Sequence, residues 1–140
     1  MNRASRRAPL SFSGKISSRM EEAESLCLRI RDTLEANGLA QLCFRAELLA
    51  RESLANAILH GNRRDVDKTI EFRFAVGREW IRIEVGDQGP GFCWRQRLRR
   101  KPNRAACSGR GLELYSLYAE RVRFNRSGNR ITLWLSRKQI

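Results

Sequence analysis

Hydrophobic positions along the chain follow two rhythms. From Arg19 the apolar residues Met20, Ala23, Cys27, Ile30 and Leu34 recur at helical spacing, and Asn37-Gly38 supplies a stop. A second helical pattern runs from about Leu39 to His60 and ends at Gly61. The period then drops to two. Ile70, Phe72, Phe74 and Val76 alternate with Thr69, Glu71, Arg73 and Ala75, and after Gly77-Arg78 a second run alternates Ile81, Ile83 and Val85 with Trp80, Arg82 and Glu84. These are the two strands of a hairpin. A short helix over 111–119, a strand around Val122 and Phe124, a turn at 127–129 and a last strand carrying Ile131, Leu133 and Leu135 follow. LSFSG (10–14) suits an edge strand, while residues 1–9 are polar, basic and expected to be loose.

Every strand is apolar on one face only, which fits a sheet with helices on one side and water on the other. The expected architecture is an α/β two-layer sandwich: a mostly antiparallel, mixed sheet of four or five strands with three helices on one face. At 140 residues the chain reads as a single domain, 1–140, long enough for a core without staples.

Charge changes this picture. The net charge is +13. Arg3, Arg6, Arg7, Lys15 and Arg19 mark the N-terminal segment, and Arg95, Arg97, Arg99, Arg100, Lys101 and Arg104 crowd the loop 92–108 with no acid among them. Such a balance points to acidic partners: nucleic acid, nucleotide phosphates or an acidic protein. Trp94 is the one aromatic within the basic run, which argues against a direct nucleic-acid binder. Cys27, Cys43, Cys93 and Cys107 form no C-x-x-C and there is one histidine, so a zinc site is not indicated and free thiols of a cytoplasmic protein are expected. No apolar run approaches a membrane span or a signal-peptide core.

Three short constellations carry candidate chemistry. RESLANAILHGN (51–62) places Glu52, Asn56 and His60 at four-residue spacing, one stripe of a helix beside the apolar Leu54, Ala57 and Ile58. A solvated polar face would read the same way. DQGPGF (87–92) follows a strand; its glycines permit close backbone approach, and the Asp87 carboxylate suits an amine donor. An ordinary strand-ending turn is the plainer alternative. SGRGL (108–112) opens a helix, where free N–H groups and Arg110 attract phosphate, although a glycine-rich linker has the same composition. It is neither a P-loop nor a dinucleotide fingerprint.

Singly these are weak; their order and spacing are not. E-x-x-x-N-A-x-x-H-G, a strand into D-x-G-x-G-F, then S-G-R-G-L before a helix resembles the GHKL ATPases, the superfamily of histidine kinases and gyrase B. The short chain and the form of its first motif look most like the anti-sigma factor serine/threonine kinases, from about Leu10 to Leu135. The resemblance implies the Bergerat fold, with ATP and Mg²⁺ as cofactors. It implies Glu52 as general base, Asn56 as magnesium ligand, Asp87 as the acceptor of the adenine amine and Gly89 and Gly91 as the adenine-side turn. Gly109, Arg110 and Gly111 would meet the phosphates, with the basic loop as lid. His60 is read as a helix-end structural residue. The implied partners are a sigma factor, an anti-anti-sigma STAS-domain protein phosphorylated on a hydroxyl, and a second copy of the chain, paired through the first strand and helix. A catalytically silent module that acts by sequestration alone would share most of these residues. The chain departs from the family where relatives place a threonine at the start of the last strand: Asn129 and Arg130 follow Gly128 here, and Asn129 is the candidate replacement.

Overall fold

The computed structural model describes residues 10–91 and 109–138, and of residues 109–112 the helix alone. Five strands form one sheet: β1 (Ser11–Ser17), β2 (Thr69–Val76), β3 (Trp80–Gly86), β4 (Arg121–Phe124) and β5 (Arg130–Ser136), in the order β1-β2-β3-β5-β4. Three α-helices accompany them: α1 (Met20–Ala36), α2 (Cys43–Asn56) and α3 (Gly109–Tyr118). The edge strand is longer than LSFSG suggests, and α3 begins at Gly109 rather than Gly111.

The expected sandwich with a mostly antiparallel sheet stands, and among the described residues all four strand pairings are antiparallel, with no parallel pair to make the sheet mixed. The reason is topological. β4 runs in the direction of β3, but β5 turns back and inserts between them, so the split crossover creates no parallel pair. Two helices lie between β1 and β2, one running out and one returning, which lets those strands also meet antiparallel.

Alternation decides which face is covered. The register aligns Phe72, Val85 and Ile131 across the sheet, then Phe74, Ile83 and Leu133, then Val76, Ile81 and Leu135, and all nine are buried. Against them pack Ala23, Leu26, Cys27, Ile30 and Leu34 of α1 and Ala46, Leu49, Ala50 and Leu54 of α2. Burying each large side chain contributes roughly 1.5–3 kcal/mol. Met20, the first residue of the helical pattern, is left exposed and Leu26 takes its place in the core. α1 and α2 are also joined where Arg31 grips Glu47 through two hydrogen bonds, Nη2 to Oε1 at 2.7 Å and Nε to Oε2 at 3.2 Å.

On the open face Arg130 reaches Glu84 at 3.1 Å and Glu71 at 2.7 Å. Glu71 lies two strands away, with Gly86 between them in register. A Cβ on Gly86 would sit 2.7 Å from the guanidinium carbon, so the glycine is what lets the arginine cross β3.

The second helical pattern is not one regular helix. A 3-10 turn (Ala40–Leu42) leads into α2, and a π turn (Ala57–Gly61) follows it. The Asn62 N–H reaches back to the Ala57 carbonyl at 2.8 Å and the Arg64 N–H to that of Ile58 at 2.8 Å. The wide turn needs left-handed backbone beyond it, and Arg63 (φ 51°) and Arg64 (φ 60°) supply it without a glycine.

Candidate nucleotide-binding site

The π turn delivers the end of the second helix against the turn after β3. Asn62, 1% exposed, makes the joint. Its Oδ1 accepts from the Gln88 N–H at 2.8 Å, and its Nδ2 donates to Ser18 Oγ and to the Thr69 carbonyl, both at 3.0 Å. Gln88 returns the contact, its Oε1 accepting from the Thr69 N–H at 2.7 Å. A buried amide with each of its atoms engaged rigidifies what it joins. It ties the helix end, the start of α1, the start of β2 and the D-Q-G turn into one unit.

Two glycines make that approach possible. A Cβ built on Gly89 would overlap the Gly61 carbonyl oxygen, and one on Gly61 would overlap the Asp87 carboxylate. Gly91 adds a positive φ of 77° and would drive a Cβ into the Ser127 carbonyl. The turn is therefore held between the helix end and the β4–β5 hairpin by backbone packing in which no side chain fits.

Asp87 is half-buried at the end of β3. Its own N–H donates to the Asn129 carbonyl at 2.8 Å, and its Oδ1 accepts from the Gly89 N–H at 2.8 Å. Burial pushes its carboxyl above the ordinary aspartate range, partly offset by the Gly89 N–H and by Lys68. Oδ2 lies beside Gly61, and among the described residues no donor reaches it. That leaves a fixed acceptor at the mouth of a turn with no side chain to block it.

Asn129, the candidate replacement for the family threonine, is committed elsewhere. Its Nδ2 donates to the Gly89 carbonyl at 3.2 Å, and its Oδ1 accepts from Asn125 Nδ2 at 2.6 Å and Ser127 Oγ at 3.2 Å. Asn125 in turn accepts three N–H groups, from Gly128, Asn129 and Arg130, on one oxygen. The pair braces the Asp87–Gly91 turn from behind.

Glu52 and Asn56 are half-buried, one turn apart on α2, and Asn56 stands immediately before the π turn. The Asn56 Nδ2 donates to the hydroxyl of Tyr115 on α3 at 2.9 Å. Tyr115 is 3% exposed, and burial pushes its phenol well up, a shift reduced by the Asn56 hydrogen bond and increased by Glu52. With one amide N–H given to Tyr115, the Asn56 atom able to meet a cation is Oδ1, a hard neutral oxygen. Among the described residues no donor reaches it and no cluster of three or more His, Cys, Asp or Glu stands anywhere. The donor set fits magnesium, which takes one or two protein oxygens, substrate phosphates and water, and does not need an all-protein cage.

His60 falls within the π turn and is exposed, while Glu52 and Asn56 are half-buried. Gly109, Arg110 and Gly111 form the first turn of α3, where N–H groups lack intrahelical acceptors. The Arg110 side chain and the basic loop 92–108 lie outside the described residues, so their assignments to phosphates and lid are not located. Tyr115 and Asn62 were not singled out in the sequence. Tyr115 reads as an apolar position of LELYSLY, and Asn62 as the polar residue after a helix stop.

A family model described as the histidine kinase-like ATPase domain matches residues 16–136. The chain belongs to that family. Its sandwich, the Bergerat fold, is the architecture described above, and an ATP-binding domain of the GHKL type is what the match supports. Among curated proteins no match was found. The matched span contains all the motifs, from the first helix through the last strand, so Glu52, Asn56, Asp87 and the SGRGL turn stand within the ATPase domain. No helix among the described residues is long and apolar enough to cross a membrane.

Proposed function

We propose that this chain is an anti-sigma factor and protein serine/threonine kinase of a partner-switching system, working in the cytoplasm. It binds Mg-ATP, sequesters a sigma factor and phosphorylates a STAS-domain antagonist. The observation that carries the reading is the pairing on α2: an acid at Glu52 one turn before an amide at Asn56 whose nitrogen is already occupied by Tyr115.

Each residue has a stated part. Asp87 accepts from the adenine amine at the turn formed by Gly89 and Gly91. Asn56 Oδ1 would hold Mg²⁺, which would supply charge neutralisation at the phosphates. Gly109, Arg110 and Gly111 meet the phosphates at the start of α3. Glu52 takes the proton of an incoming serine or threonine hydroxyl as its oxygen bonds to the γ-phosphorus, and the bond to the β–γ bridging oxygen breaks to release ADP. The phosphate placed on the antagonist weakens its contact by charge and bulk, which frees the chain for the sigma factor. A homodimer through β1 and α1 belongs to the same reading; among the described residues β1 is an edge strand with one side unpaired in the sheet.

The alternative, a silent module acting by sequestration, is separated at Glu52. Glu52→Ala should lose transfer of labelled γ-phosphate to a STAS-domain protein by about a hundredfold or more while ATP affinity stays within a few-fold. Transfer at the wild-type rate in that variant would remove Glu52 from the chemistry. A wild-type protein that binds ATP but transfers nothing to any STAS protein offered would leave the silent module as the reading.

A further inference from the structure

We propose that Tyr115 is a positioning residue for Asn56: its hydroxyl accepts the carboxamide N–H and so turns Oδ1 outward as the oxygen that meets a hard divalent cation. The inference rests on Asn56 as the magnesium ligand and deepens that reading.

A carboxamide has two orientations of nearly the same shape, and only one presents oxygen. The other presents an NH₂ group, which repels a cation. Some partner must choose between them, and among the described residues the Tyr115 hydroxyl is the group that Asn56 reaches, at 2.9 Å. A phenol can donate or accept, so its own direction must also be set. Here the Asn56 Nδ2 donates, so the phenol oxygen takes the accepting part and its own O–H points away from the amide. The ring is buried, so the hydroxyl cannot swing away. An apolar side chain would fill the same core volume; the buried hydroxyl costs desolvation, and its partner among the described residues is Asn56. One phenol on α3 thus fixes the amide of the stripe from a different helix.

The test is Tyr115→Phe, which keeps the ring and deletes the oxygen. Calorimetry would follow ATP binding as Mg²⁺ is raised from a chelated baseline, with thermal unfolding of the nucleotide-free protein alongside. The expected result is magnesium-free affinity within about twofold of wild type. The Mg²⁺ concentration for half-maximal tightening rises about five- to tenfold, the loss of one hydrogen bond. In an Asn56→Ala background the same substitution should change nothing further, because the amide it positions is gone. Tyr115→Met, which also fills the volume without a hydroxyl, repeats the shift should the phenylalanine variant unfold. A Tyr115→Phe protein with the wild-type magnesium curve overturns the positioning role alone. So does an equal loss with and without Asn56, which marks a packing role. Wild-type binding that ignores both Mg²⁺ and Asn56→Ala overturns the metal-ligand reading, and this inference with it.

Discussion

The two walls of the candidate site are built in different ways. On the proposed adenine side, the turn from Asp87 to Gly91 is wedged between the Gly61 end of the second helix and the β4–β5 hairpin, with backbone against backbone. On the proposed phosphate side, Glu52 and Asn56 stand on the face of an ordinary helix, and a single side-chain hydrogen bond joins the amide to Tyr115. The first wall is shaped by what is missing, since three glycines leave room that any Cβ would fill. The second is shaped by what is added. Substitutions should therefore separate: the adenine wall fails by losing stability, and the stripe fails by losing function while the fold survives.

The largest effect is expected at Gly91→Ala. The new methyl meets the Ser127 carbonyl and the backbone holds a φ of 77°, so the loss of unfolding free energy should be on the order of 3 kcal/mol or more. Denaturant unfolding measures it, and an alanine variant as stable as wild type would show that this wall yields and the contrast is false. Asn62→Ala comes next. It strands the Gln88 N–H and takes a donor from the Thr69 carbonyl and from Ser18 Oγ, which keeps its bond to the Lys68 carbonyl; the cost is about 1–3 kcal/mol, and ATP binding should weaken only through the loosened turn.

Asp87 sharpens the comparison because its two readouts move oppositely with pH. Burial raises its carboxyl above the ordinary range. A group raised on folding contributes stability that is fully present below its unfolded pKa and lost as pH rises through the folded one, so acidification favours the nucleotide-free fold through this residue. Binding needs the carboxylate as acceptor, so ATP affinity should fall on acidification, beginning at a higher pH than an unperturbed aspartate requires. The expected slope approaches about one decade per pH unit, and Asp87→Asn should flatten it. An unchanged profile in that variant would assign the titration elsewhere. The smallest effect is expected at Glu24→Ala. Its partner Arg51 precedes Glu52 on α2 with Nε–Oε1 at 2.8 Å, but both side chains are exposed. The cost should stay under about 1 kcal/mol, with ATP affinity unchanged.

Much of this was legible in the sequence, and the limits have physical causes. Period-two alternation marked both faces of β2, β3 and β5, because one buried face forces that pattern. It could not mark the strand order, since insertion of β5 between β3 and β4 leaves each strand's own alternation unchanged. The helical pattern from Leu39 to His60 concealed a 3-10 start and a π end, which shift the apolar spacing by less than the pattern resolves. Arg63 and Arg64 adopt left-handed backbone where a glycine or asparagine would have announced it. At the site, Glu52, Asn56, Asp87 and the glycines were visible through their spacing. The residues that hold them were not, because Tyr115, Asn62 and Asn125 act over long sequence separations or through contacts that have no local signature.

The most direct test of the whole account is calorimetric titration of Mg-ATP into the wild type and into Asn56→Ala, with nucleotide-free unfolding as the control. The account predicts magnesium-dependent binding in the wild type, its loss in Asn56→Ala, and a variant destabilised by no more than about 1.5 kcal/mol, the cost of one hydrogen bond. Equal affinities in the two proteins, with or without Mg²⁺, would contradict it.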